Sequence, residues 1–322
     1  MRLYVNSKRV ALIFAALLFS LAFTMSPLHR QAKAVDKKLD FKESRYNNIF
    51  VYKRGPYIAM TFGHNKRFFT ETIYDTRDEK ALPVTYTRYM TVSLAYSGKT
   101  ENILEIGFGG GRTTKYLHEH LGKNTAITSV ELDPAVVEFA KKYFGIESKK
   151  NFKIVVADGR RYLAKTPDKK WDVIMIDAYR GPFVPFHLLT KEFFQKVKDK
   201  LSNGGIAVQN IEPSTMMFDS AISTIASVFD HIDLFEADGN VVAVAYSGKQ
   251  KSQEELLKHA QNIQNKYDFK YNLGNMLKSR RVVINKKIKG KILTDDFAPV
   301  ESLLAIQRHN KKLDGLSEKA VK

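Results

Sequence analysis

The residues with the clearest chemical potential are Glu105, Gly107, Gly109 and Gly111, spaced two apart in the run Glu105-Ile106-Gly107-Phe108-Gly109-Gly110-Gly111. They follow a short apolar segment and open a helical one. Glycines in that setting let the backbone turn tightly and approach a ligand without a Cβ in the way. Glu131 closes the next apolar run, about 20 residues beyond the last glycine, where a carboxylate can accept hydrogen bonds from ribose hydroxyls. Asp158-Gly159 and Asp177 close the two runs after that. The pattern predicts a nucleoside site. It differs from the Gly-x-Gly-x-x-Gly spacing of dinucleotide-binding loops.

Such residues converge only if the intervening chain alternates strand and helix. Strands are predicted at Asn102–Ile106, Ala126–Leu132, Phe152–Ala157, Val173–Asp177 and Ile206–Ile211, with helices at Thr113–Leu121, Ala135–Phe144, Lys191–Leu201 and Ser214–Phe229. This alternation implies a parallel sheet with helices on both faces, whose carboxyl edge gathers the acidic and glycine residues. His231–Phe235 and Val241–Tyr246 would add a terminal hairpin. The expected fold is α/β, a Rossmann-like arrangement with a mostly parallel seven-stranded sheet. Residues 85–248 form this nucleoside-binding domain, with a helix expected over Thr85–Tyr96. Before it, residues 35–84 alternate in short β-rich runs broken by Gly55-Pro56 and Gly63-His64-Asn65, which reads as a small antiparallel β domain. Residues 249–322 form a basic extension that completes the fold, with one more structured patch at Ile292–Leu304.

The stretch from Glu43 to about Leu304 resembles the spermidine synthase family and its atypical bacterial relatives, on the class I methyltransferase fold. The matching pieces are Glu43-Ser44-Arg45-Tyr46-Asn47, the glycine loop, Val130-Glu131-Leu132-Asp133, Ala157-Asp158-Gly159 and Trp171 through Asp177. Leu189 to Phe194, Leu201 to Gly205 and Leu293 to Glu301 match as well. The resemblance implies S-adenosylmethionine or its decarboxylated form as cosubstrate, no metal, a small-molecule amine or other acceptor, and a homodimer. It further implies that Glu131 holds the ribose, Asp158 and Gly159 the adenine, and the glycine loop the sulfonium end. Asp177 would stand beside the reacting centre with Tyr86 as the substrate-site tyrosine, and Asn47 would bind substrate; Arg180 is expected to bind substrate by its charge, outside the family pattern.

The chain also departs from the family. An aspartate usual in the glycine loop is Gly110 here, a usual glutamine after the tyrosine is Thr87, and an Asp-Ser-Ser/Thr-Asp loop reads Asp177-Ala178-Tyr179-Arg180. Two carboxylates are lost and a cation is gained, which is the wrong sign for a polyamine and the right one for a carboxylate. Three readings stay open: aminopropyl transfer, methyl transfer, and a catalytically silent binding protein.

Composition narrows the setting. Lys and Arg number 52 against 34 acidic residues, a net charge of +18, and cysteine is absent. Disulfides and thiolate metal sites are therefore excluded. The lysines are scattered, so nucleic acid is not an expected partner, and Arg280-Arg281 through Lys291 reads as a solvated or membrane-facing surface. Arg2, Lys8 and Arg9 precede the apolar run Val10–Phe23, and Ala32-Lys33-Ala34 follows. Residues 1–34 thus read as a signal peptide or a membrane anchor, with an exported (periplasmic) or membrane-anchored protein expected. His118-Glu119-His120 does not have metal-ligand spacing on a helix, and His64 and His187 read as ordinary turn and loop residues.

Overall fold

A computed structural model describes residues 36–64, 67–181, 183–215, 217–283 and 290–296. The segment 1–34 and residues 297–304 of the C-terminal patch lie outside the described residues. From Lys37 onward the chain forms one compact unit.

Four antiparallel strands form the small sheet in chain order: β1 Lys37–Glu43, β2 Asn48–Arg54, β3 Tyr57–His64 and β4 Arg67–Asp75. The large sheet is built from β5 Asn102–Ile106, β6 Ala126–Glu131, β7 Phe152–Val156, β8 Trp171–Ile176, β9 Leu201–Ile211, β10 His231–Ala237, β11 Asn240–Tyr246 and β12 Arg281–Val282. Its order is β12-β10-β11-β9-β8-β5-β6-β7. The strands from β7 through β9 run parallel, and β11 turns the sheet antiparallel. Chain order reverses between β5 and β8, the switch point at which open α/β sheets bind ligands.

The central strands carry apolar side chains on both faces because both faces are covered. Every residue of β8 is buried, and so is β5 after Asn102. One cluster, with Tyr96, Val173 and Phe235, fills one side of the sheet; another, with Ile174, Phe193 and Ile222, fills the other. A third joins Ile49, Val51, Met60 and Phe62 of the small sheet to Val136 and Phe139. Those two lie on the helix Pro134–Tyr143, which starts where Asp133 Oδ1 accepts from the Ala135 amide at 2.9 Å. This contact seats the small sheet beside the glycine loop.

Several expectations need adjusting. The helix expected over Thr85–Tyr96 is two pieces, Thr85–Met90 and Ser93–Tyr96. The one expected over Ser214–Phe229 is Phe218–Ala226, and a short helix at Gly159–Lys165 was not anticipated. The hairpin of β10 and β11 forms, but the sheet gains an eighth, two-residue strand beyond it. Arg280, expected on a solvated surface, points inward: its Nε donates to Asp233 Oδ2 at 2.8 Å, and Tyr96 donates to the same oxygen at 2.8 Å. Its guanidinium is drawn in because Asp233, fully buried on β10, needs a counter-charge.

Candidate active site

At the carboxyl edge of β5, β6 and β8 lies a cavity of about 490 Å³, large enough for a small ligand. Asn47, Tyr86, Glu105, Gly107, Gly109, Glu131, Asp158, Gly159, Asp177 and Arg180 all line it. Gly111 does not. It takes φ +68 at the start of the helix Arg112–Leu121, where it turns the chain and packs on the Phe108 ring.

The half of the cavity along the glycine loop is made largely by backbone. Gly107 sits at φ +91, and a Cβ there would collide with the Asp177 carbonyl. Glu131 Oε2 accepts from the amides of Phe108 (3.0 Å) and Gly109 (3.2 Å), and its Oε1 accepts from Asp133 at 3.0 Å. The carboxylate predicted for ribose therefore also pins the loop. Beneath it Glu105 accepts from the hydroxyls of Thr114 and Ser129. Burial outweighs those bonds and pushes its carboxyl up to about 8. Asp158 is shared: Oδ1 caps the following helix through the Arg161 amide at 2.8 Å, and Oδ2 meets His187 Nε2 at 2.8 Å. The His187 hydrogen bond is the main reason its carboxyl lies below the usual range. His187, expected to be an ordinary loop residue, thus belongs to the site. Leu132 and Phe186 are exposed apolar side chains on the same cavity wall.

The other half is assembled from distant elements. Asp177 Oδ1 accepts from Asn210 Nδ2 at 2.9 Å, Asn210 Oδ1 accepts from Asn240 Nδ2 at 3.0 Å, and Tyr179 donates to the Asn210 carbonyl at 3.0 Å. The Tyr86 hydroxyl also faces Asp177. Burial pushes Asp177 up to about 7 against the influence of Asn210 and Tyr86, and pushes Tyr86 well above the usual phenol range.

Glu71, absent from the expected site, faces the same cavity from β4. Met60 opposes Thr72 while Thr61 opposes Thr70, so Glu71 is the extra residue of a β-bulge. Strand alternation would send Glu71 and Thr72 to opposite faces, whereas here both line the cavity. Thr72 Oγ1 accepts from the Gly110 amide at 2.9 Å, and its side chain fills the space a Cβ on Gly110 would need. Glu71 Oε1 is buried without a hydrogen-bond partner, and burial followed by the charges of Asp177 and Glu131 raises its carboxyl well above the usual range.

Glu71, Glu105, Glu131 and Asp177 accordingly share one cavity, and none has a basic hydrogen-bond partner among the described residues. Arg112 also lines the cavity; it bonds the Phe144 and Glu79 carbonyls and lies 4.3 Å over the Tyr74 ring, while its Nε is buried without a hydrogen-bond partner. Arg180 is exposed, and among the described residues it has only backbone bonds to Phe183. His118 binds Asn151 and His120 the Tyr267 carbonyl, both structural contacts.

Sequence reasoning missed Glu71, Asn210 and His187. Asn210 lies near the carboxyl end of β9, so the positional logic that found Asp177 extends to it. A bulge leaves no comparable mark beyond the polar run Thr70-Glu71-Thr72.

Comparison with known proteins places these features. Residues 84–235 match the family model described as the spermine/spermidine synthase domain. A polyamine aminopropyltransferase of Vibrio vulnificus is 28% identical over 81% of this chain and 90% of its own length. One from Neisseria meningitidis serogroup A is 30% identical over 58% of this chain and 73% of its own. Among solved structures, spermidine synthase from Thermotoga maritima superposes with a TM-score of 0.62 at 21% identity, over 78% of this chain and 86% of that one.

Proposed function

We infer the function from one premise: this chain belongs to the spermine/spermidine synthase family. It is a transferase that moves an aminopropyl group from decarboxylated S-adenosylmethionine to an amine acceptor. The observation that carries this reading is the set of carboxyls, half-buried or buried, that line one cavity without a basic hydrogen-bond partner among the described residues, which suits a sulfonium donor and an amine acceptor.

Glu131 would take the ribose hydroxyls, Asp158 the adenine amino group, and Leu132 and Phe186 the faces of the ring. Asp177 is the base. Burial pushes its carboxyl up to about 7, near neutrality, where a proton acceptor works best, and Asn210 fixes its orientation while Tyr86 faces it. The acceptor nitrogen attacks the aminopropyl carbon bound to sulfur. The C–S bond breaks with its electron pair going to sulfur, methylthioadenosine leaves, and the proton displaced from nitrogen passes to Asp177. Asn47 would bound the substrate end.

Methyl transfer is the rival, and it rests on Arg180 as partner for the carboxylate of intact S-adenosylmethionine. The purified chain is to be incubated with either donor and a diamine or triamine. Methylthioadenosine release with the decarboxylated donor is expected. Turnover of the intact donor alone, to S-adenosylhomocysteine, would replace this reading with methyl transfer, and turnover of neither would leave a silent fold.

Export or membrane attachment through residues 1–34 and a homodimeric state are part of the same proposal, supported by that segment's composition and by the family resemblance. Among the described residues no helix is long and apolar enough to cross a membrane. Determining the N-terminus of the fractionated protein tests the first point, with an intact Met1 in a soluble cytosolic chain against it. Light scattering tests the second.

A further inference from the structure

Gly110 leaves the glycine loop without the aspartate usual in the family, and Thr72 occupies the room that aspartate's Cβ would need. The loop amide that remains is bound by Thr72 Oγ1 at 2.9 Å. Strand β4 therefore replaces part of the loop's surface with its own. The residue beside Thr72 on that strand is Glu71, the extra residue of the bulge. A bulge re-aims a side chain that regular pleating would send elsewhere. Here it turns a carboxyl into a cavity already holding Asp177 and Glu131. One of its oxygens is buried and has no hydrogen-bond partner. A buried carboxyl oxygen left unpaired is costly in the fold, and a ligand ammonium would satisfy it.

We propose that Glu71 selects the donor: its carboxyl, presented by the β4 bulge, takes the ammonium of the aminopropyl group and disfavours the intact amino acid. This rests on the aminopropyl reading above. The assignment to the donor follows from place. Thr72 ties this part of β4 to Gly110, in the loop expected to hold the sulfonium end, and Glu71 also feels the charge of Asp177, where the attacking nitrogen belongs; a group between sulfonium and nucleophile is the aminopropyl chain of the donor. On intact S-adenosylmethionine the carbon bearing the ammonium also bears a carboxylate, which would lie against Glu71, Asp177 and Glu131 with like charge. Decarboxylation removes that repulsion and leaves the cation.

The test is calorimetric binding of three probes, decarboxylated S-adenosylmethionine, the intact form and methylthioadenosine, to the parent chain and to Glu71→Gln. The substitution keeps the shape and removes the charge. Glu71→Gln should weaken the decarboxylated donor about tenfold or more, the share of a charge-assisted hydrogen bond. Methylthioadenosine, which lacks the ammonium, should bind as before, and the preference over the intact donor should shrink. Unchanged affinity for the decarboxylated donor overturns the proposal, even if the KM for the acceptor rises, because Glu71 would then serve the acceptor. An equal loss for methylthioadenosine overturns it too, by showing a merely structural role. A parent chain that binds methylthioadenosine but neither donor instead brings down the aminopropyl reading itself, and the Glu71 assignment with it.

Discussion

The two halves of the cavity are built by opposite means. The half proposed for the nucleoside is local: a glycine loop, the strand ends on either side and the backbone amides they expose, all within the parallel sheet. Its key carboxylate, Glu131, spends its oxygens on loop amides at 3.0 to 3.2 Å. The half around Asp177, proposed to hold the reacting centre, has no motif. Asp177, Tyr86, Asn210 and Glu71 come from four separate elements of two sheets and a helix, and each is positioned by tertiary contact. A backbone-built site constrains residue type along a short stretch. A side-chain-built site constrains only where distant stretches meet, and so it tolerates the relocation of a carboxyl from loop to strand.

This contrast predicts which substitutions separate chemistry from binding. The largest effect should come from Asp177→Asn, which keeps the hydrogen-bonding shape but removes the proposed base. Turnover should fall by roughly 10²–10⁴-fold, while methylthioadenosine binds as before. Because the acid form of Asp177 cannot accept the proton, kcat/KM in the parent should rise with pH through a limb near 7. That limb should vanish in the variant. A variant that loses nucleoside binding to the same degree would show that the halves are not separable.

A smaller effect is expected on the other side. Glu131→Gln retains one carbonyl acceptor for the loop and the ribose but loses the charge, and methylthioadenosine affinity should drop by about 1.5–3 kcal/mol. Turnover at saturating donor should change much less. Unaltered affinity in titration would break the assignment of Glu131 to the ribose.

Legibility in the sequence follows the same division. The parallel strands were readable because burial on both faces makes them continuous apolar runs, as in Val173-Ile174-Met175-Ile176. Glu131, Asp158 and Asp177 were readable because strand ends are fixed points of such a sheet. Gly111 was placed in the site by its spacing, yet spacing cannot tell a glycine that faces the ligand from one that turns the chain behind it. His187 looked unremarkable because its partner, Asp158, is 29 residues away. Glu71 was invisible because a bulge depends on pairing two strands, which no single stretch encodes. The helix break at Thr91–Val92 and the inward Arg280 were missed for a related reason: each answers to packing or to a buried charge elsewhere in the chain.

The two-residue strand β12 has a consequence for how the molecule keeps to itself. A large open sheet ends in rows of unpaired amides and carbonyls, which act as templates for strands of other chains. At one end β12 covers Asp233 and Leu234 of β10, and Arg280 fastens it by gripping Asp233 from within. At the other end β7 is only five residues long and turns Lys153 outward. Strand addition at these margins is thus opposed by pairing over two residues at one end and by brevity and a lysine at the other, although each edge strand also exposes a valine, Val282 on β12 and Val156 on β7.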